Sequence, residues 1–117
     1  MRLLLAGLLL GLAGLVRAEA CLIHSKGHQL DVRICQHNRT IPDNLFHKGF
    51  CRPHLPGQNV EVSFASQCPA GYFGACRGAR VNGTTWQQDI YYYGVASDAR
   101  YLKPACERQS HGQWFGR

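Results

Sequence analysis

Long hydrophobic segments are missing from this sequence of 117 residues, apart from one uncharged run at residues 3–16. That run is shorter than the roughly 18 to 20 apolar residues that a membrane-spanning helix requires, so we predict no transmembrane segment. Acidic residues are few: 7 Asp and Glu stand against 13 Lys and Arg, which gives a formal charge of +6 at pH 7. A chain of this length has room for one small basic domain, which excludes a two-domain enzyme.

The sequence also lacks the short motifs of the common hydrolases and nucleotide-binding enzymes. It contains no Gly-x-Ser-x-Gly elbow, no His-Glu-x-x-His motif and no phosphate-binding glycine loop. No segment places apolar residues at helical spacing over three turns, which disfavours a long amphipathic helix and a helical membrane-lytic mechanism. We therefore predict no catalytic residue and no cofactor.

Residues 1–20 have the organisation of a secretory signal peptide. Arg2 supplies positive charge, residues 3–16 form the apolar stretch, and small residues follow at alternate positions. Cleavage can follow Ala18 or Ala20, and the sequence alone favours Ala20, which makes Cys21 the first mature residue. We expect a secreted, extracellular protein whose residues 21–117 form a single disulfide-rich domain.

Cysteines are spread over the whole expected mature chain. An even number of them in a short secreted protein predicts disulfide bonds rather than free thiols, because secretion is oxidising. The spacing does not select one pairing. Cysteines and histidines lie close together around residues 35–37 and 47–54, but oxidised thiols do not bind zinc, so we predict no metal site. The predicted disulfide residues are Cys21, Cys35, Cys51, Cys68, Cys76 and Cys106.

Alternation of apolar and polar residues predicts short β-strands. Residues 30–35 and 59–64 show it most clearly. The apolar side chains expected to face the core are Leu30, Val32 and Ile34 in the first strand and Val60, Val62 and Phe64 in the second. Residues 38–58 contain three prolines and little periodicity, so we expect a long loop there.

Asn82-Gly83 is the strongest turn signal in the chain. This dipeptide favours a type I′ turn, so we predict a hairpin whose arms are residues 79–81 and 84–86. The second arm continues to residue 93 as a central strand that is rich in aromatic residues.

The C-terminal part of the chain contains one helix signal. Ser97 or Asp98 can cap a single helical turn that extends through Leu102 and ends before Pro104. Residues 114–117 are expected to be a flexible tail. The predicted fold is mainly β, or small α+β: a compact disulfide-stapled β-rich domain with an Asn-Gly hairpin and at most one short helix.

Two kinds of surface feature follow from local sequence. The sequons Asn38-Arg39-Thr40 and Asn82-Gly83-Thr84 predict N-glycosylation at Asn38 and Asn82. On a strand, Tyr91 and Tyr93 point to one side and Tyr92 to the other. Tyr91 and Tyr93 are therefore a candidate binding surface for a sugar ring or a partner protein; the alternative is that they pack under a loop.

Histidine is the residue type that best suits acid–base chemistry here. Two of the six histidines, with Lys or Arg to hold phosphate, would equip a secreted ribonuclease that cleaves RNA through its 2′-hydroxyl, but no local pattern selects a pair. Cations are dispersed rather than clustered, which argues against a dedicated nucleic-acid groove. Histidine protonation in an acidic medium would strengthen attraction to anionic microbial surfaces, so a cationic antimicrobial protein is a further alternative. The histidines are His24, His28, His37, His47, His54 and His111.

The combination of a cleavable leader, six dispersed cysteines, a Gly- and aromatic-rich body and no catalytic motif resembles the small secreted cysteine-rich proteins of fungi. Many of these act as effectors in a plant or insect host. Residues 83–94, followed by residues 97–100 and Cys106, resemble the C-terminal half of such proteins. We therefore expect a monomeric, non-enzymatic protein that binds a host or competitor protein or a surface glycan.

Overall fold

A computed structural model describes residues 19–27, 31–53 and 56–116. Within these ranges six strands form one antiparallel sheet in the order β3-β1-β2-β5-β4-β6. The predicted mainly β, disulfide-stapled fold is confirmed. The strands are β1 Ala20–Lys26, β2 Asp31–Asn38, β3 Asn59–Ala65, β4 Gly74–Arg80, β5 Gln87–Tyr93 and β6 Gln113–Gly116.

The strands with the clearest alternation were predictable. β3 matches the expected strand, and β5 lies between β2 and β4, as expected of a central strand. β2 covers most of the other prediction, although Leu30 lies outside the described residues. The expected flexible tail is wrong for residues 114–116, because they belong to β6, which pairs with β4.

Within the described ranges, two helical segments connect the strands. The first, α1, comprises the α-helical turn Asp43–Leu45 and the π-helical turn Phe46–Phe50. It lies in the stretch predicted to be a loop and exceeds the expected limit of one short helix. The segment is short and only its Phe46 is buried. Its sequence therefore shows no repeating helical pattern of apolar residues.

The second segment, α2, is longer than predicted. It comprises a 3₁₀ turn at Ala96–Asp98, an α-helix at Ala99–Pro104 and a π-helical turn at Ala105–Gln109. The prediction that the helix ends before Pro104 is wrong. Proline lacks the N–H that would close an α-helical hydrogen bond, and the winding changes to a π-helical turn directly after it.

The predicted hairpin joins β4 to β5, but its turn is not type I′. The backbone N–H of Val81 donates to the carbonyl of Trp86, and that of Thr84 donates to the carbonyl of Val81. Of the two central turn residues only Gly83 has a positive φ, 79°, whereas a type I′ turn needs a positive φ at Asn82 as well. Thr84 widens the loop, because its hydroxyl donates to the Val81 carbonyl and accepts from the Trp86 N–H.

The sheet has two differently covered faces. Cys21–Cys51 attaches α1 to β1, and Cys76–Cys106 attaches α2 to β4. The strand registers place Cys21 and Cys76 on the same face, which we call the helical face. Cys35 lies on the opposite face, the tyrosine face, and its bond to Cys68 attaches the loop of residues 66–73.

The core on the helical face is small and rich in cysteine. Its larger cluster is Cys21, Ile23, Ile41, Phe46 and Cys51, and Ile34, Val60 and Val62 are partly buried against it. Two predicted core residues are surface residues instead: Val32 is 40% exposed and Phe64 is 42% exposed. β3 lies at the edge of the sheet, and the two helical segments cover only part of the helical face. Strand alternation therefore overestimates how many side chains of the helical face are buried.

Candidate functional site

The tyrosine face carries the predicted binding residues under a loop. Tyr91 and Tyr93 of β5 pair with Cys35 and Arg33 of β2 and share their face. The ring of Tyr72, from loop 66–73, meets the Tyr91 ring edge-on at a centroid distance of 4.8 Å and the Tyr93 ring at 6.3 Å. The two strand tyrosines therefore form part of a packed cluster rather than an open platform.

A disulfide bond and a side-chain hydrogen bond help to hold loop 66–73 across the strands. Cys68 is covalently joined to Cys35, and the Tyr93 hydroxyl donates a hydrogen bond of 2.7 Å to the carbonyl of Pro69. Burial, together with the neighbouring Tyr91 and Tyr72 hydroxyls, raises the pKa of Tyr93 to about 12. Tyr93 therefore keeps its proton and remains a donor to the loop at neutral pH. On the helical face, burial also raises the pKa of Tyr92.

The loop separates two clefts, which we call cleft 1 and cleft 2. Cleft 1 has a volume of about 420 Å³, with apolar walls from Leu22, Pro69 and Ala70. Tyr93, His24 and Arg33 add one aromatic ring and two nitrogen-bearing side chains to its lining. Cleft 1 is thus a mainly apolar recess with polar groups on one side, which is the usual character of a small-ligand site.

The histidine in cleft 1 belongs to a polar cluster. His24 Nε2 lies 2.6 Å from Asp31 Oδ1 and 3.4 Å from Arg33 Nε. Glu61 is the β3 residue in register with His24, so a carboxylate, an imidazole and a guanidinium lie side by side across β3, β1 and β2. The sequence could not reveal this row, because it depends on strand pairings between residues far apart in the chain.

Cleft 2 lies on the other side of the loop and is more polar. It has a volume of about 310 Å³ and is bordered by Tyr72 and Tyr91. His37 and Glu19 also line it, with His37 Nε2 3.6 Å from Glu19 Oε2. Ser66 and Gln67 of the loop complete its hydrogen-bonding groups.

A third and larger cleft, of about 670 Å³, surrounds the Asn82 turn. Arg80, Trp86 and His111 line it together with the turn itself. Asn82 is exposed, so the second sequon is presented to solvent. Asn38 is different: its side-chain amide donates to the Ile41 carbonyl and accepts from the Ile41 N–H, both at 2.8 Å.

A buried carboxylate on β5 serves the fold. Asp89 Oδ1 accepts a 2.8 Å hydrogen bond from the N–H of Gly78 and lies 2.9 Å from Arg39 Nε. Gly78, with φ of 68°, lies where the register between β4 and β5 shifts. Asp89 thus binds a backbone donor that the β-bulge frees, and it is absent from the lining of all three clefts.

All six predicted cysteines form disulfides, in pairs 30 to 33 residues apart. Among the described residues, no group of three or more His, Cys, Asp or Glu side chains is arranged to hold a metal ion. His28 and His54 lie outside those residues. The described part of the chain likewise contains no helix that is long and apolar enough to cross a membrane.

Comparison of the chain with protein-family models, curated proteins and solved structures finds no match. The assignment of function therefore depends on the chemistry of the clefts.

Proposed function

We propose that the protein is secreted and acts outside the cell as a monomeric, non-enzymatic, effector-like binding protein directed at a host or competing organism. The observation that carries this proposal is loop 66–73, which Cys35–Cys68 and the Tyr93–Pro69 hydrogen bond hold on the tyrosine face. Binding residues commonly lie on loops that a rigid scaffold positions. Here the scaffold is the sheet, and the loop supplies one wall of each cleft.

The clefts suit a surface glycan or a small group of side chains from a partner protein. Their volumes of about 420 and 310 Å³ are at the lower end of small-ligand sites, which span roughly 300 to 1,000 Å³. Each combines a tyrosine ring with hydrogen-bonding groups, as recognition of a sugar ring requires. The chain stays net positive after loss of the leader, because residues 1–18 hold only Arg2 and Arg17 of the 13 Lys and Arg residues, and this charge would also speed association with anionic surfaces.

Binding of the labelled protein to intact plant or insect cells tests the proposal. We expect saturable binding that Tyr72→Ala weakens at least about tenfold, because the variant opens the tyrosine cluster under the loop. Tyr101→Ala is the matched control, since Tyr101 is 64% exposed on α2, which Cys76–Cys106 attaches to the opposite face of the sheet. Absence of saturable binding, or equal loss in both variants, would contradict the proposal.

A secreted ribonuclease is the second candidate, and the cross-strand row favours it. Glu61 would act as the general base that takes the proton of the 2′-hydroxyl, and the Asp31-bound His24, when protonated, as the general acid that gives a proton to the leaving oxygen, with Arg33 on the phosphate. A gel assay of total RNA at pH 4 to 8 decides between the candidates. Cleavage that His24→Gln abolishes would establish the enzyme, and intact RNA throughout would eliminate it.

A further inference from the structure

β1 begins before the first cysteine. Ala20 pairs with His37 of β2 and with Ala65 of β3, and its exposed fraction is 0%. The carbonyl of Glu19 accepts a 2.8 Å hydrogen bond from the backbone N–H of Asn38. Ala20 therefore belongs to the sheet and Glu19 is hydrogen-bonded to it, although the sequence places both at the end of a signal peptide.

Glu19 also contributes to the candidate site. Its carboxylate lies 3.6 Å from the His37 imidazole, and both side chains line cleft 2. A chain without Glu19 would leave cleft 2 without its carboxylate and His37 without this ion-pair partner. The position of the N-terminal cut thus determines the composition of the site.

Cleavage after Ala20 is unfavourable for this fold. It would place the new α-ammonium group on Cys21, whose exposed fraction is 0%, and would remove both strand pairings of Ala20. It would also remove the Glu19 carbonyl that accepts the hydrogen bond from the Asn38 N–H. Cleavage after Ala18 instead places the charge on Glu19, whose side chain is 66% exposed.

We propose that the signal peptide is removed after Ala18 and that the mature protein begins at Glu19. Val16 and Ala18 occupy the positions where the peptidase accepts small residues, so the sequence permits this cut. This proposal reverses the preference for Ala20 that local sequence gives. This inference rests on the proposed secretion of the protein.

Peptide mass spectrometry of the N-terminus of the secreted protein tests the cut. We expect an N-terminal peptide that starts with Glu19. A peptide that starts with Cys21 would overturn the inference and leave secretion intact. A chain that keeps Met1 and stays inside the cells would instead overturn the proposed secretion.

Oxidatively refolded chains of residues 19–117 and 21–117 test whether residues 19 and 20 stabilise the fold. We expect the shorter chain to melt about 5 °C or more below the longer one, because it loses the Ala20 pairings. The longer chain with Glu19→Gln should keep its Tm, since it retains the backbone and changes only an exposed carboxylate. Equal Tm values for the two lengths would contradict the argument.

Discussion

At the scale of single residues, Tyr93 connects the sheet to the loop between the two clefts. Its hydroxyl donates to the Pro69 carbonyl, and its pKa is raised to about 12, whereas an unfolded tyrosine titrates near 10. The unfolded chain therefore releases this proton at lower pH than the folded protein does. Between these two pKa values, stability contributed by Tyr93 falls as the pH rises.

Tyrosinate absorbance measured during an alkaline titration tests the role of Tyr93. We expect a late ionisation phase near pH 12 whose amplitude Tyr93→Phe reduces by about one tyrosine, because the partly buried hydroxyl of Tyr93 loses its proton only at high pH. Tyr92, whose pKa burial also raises, contributes to late ionisation in both proteins. Tyr101→Phe is the control and should keep that phase. A late phase of undiminished amplitude in Tyr93→Phe would contradict the raised pKa of Tyr93.

The two sequons make another test at this scale. Asn82 lies exposed in its turn, whereas both ends of the Asn38 amide bond to Ile41. When the protein is secreted from a eukaryotic host, we expect a glycan on Asn82 and little on Asn38, because a sugar on Asn38 would disturb that loop. Glycopeptide mass spectrometry measures both occupancies, and high occupancy at Asn38 in folded protein would refute this expectation.

At the scale of elements, a strand or helical segment was predictable from sequence only where its own residues carry a periodic or compositional pattern. β3 and β5 carry period-two alternation or a run of β-favouring residues, so they were found. α1 contains a single buried anchor, Phe46, and depends on the Cys21–Cys51 bond to a distant strand. β6 has four residues and forms only by pairing with β4, so its own sequence gives no signal.

The contact between β4 and β6 depends on a glycine. A Cβ added at Gly74 would lie 2.3 Å from Cζ2 of Trp114, so Gly74→Ala must displace the indole. We expect this variant to lose about 1–3 kcal/mol of unfolding free energy, the usual cost of overpacking. Gly49→Ala in α1 is the matched control, since a Cβ there meets nothing within 4 Å. Chemical denaturation compares them, and equal stabilities would contradict the packing argument.

At the scale of the whole molecule, two disulfides stabilise the helical face and the third holds the proposed binding loop on the tyrosine face. Cys21–Cys51 and Cys76–Cys106 fix the helical segments over a small core, while Cys35–Cys68 fixes the loop over the tyrosines. Among the largest fully buried side chains in the part of the chain that the structure describes, only Phe46 is not a cysteine. In a domain of this size, such bonds replace much of the stability that a larger core would supply.

The candidate site could be predicted only in part at this scale. The tyrosines of β5 were identifiable from strand alternation, and the six cysteines from their number. The neighbours of Tyr93 were not identifiable. Tyr72 and Pro69 lie beside it because Cys68 pairs with Cys35, and cysteine spacing does not select that pairing. The pairing of Glu61 and Arg33 with His24 likewise follows from strand registers alone.

The most direct test of the account is cell binding by two disulfide variants. Cys35→Ala/Cys68→Ala releases the loop, and Cys76→Ala/Cys106→Ala releases α2 from the opposite face. Each should lose roughly 2–4 kcal/mol of stability, so binding is measured at a temperature where circular dichroism shows both folded. We predict that only the first variant loses binding. Wild-type binding by that folded variant, or equal loss by both, would contradict the central claim that loop 66–73 forms the binding surface.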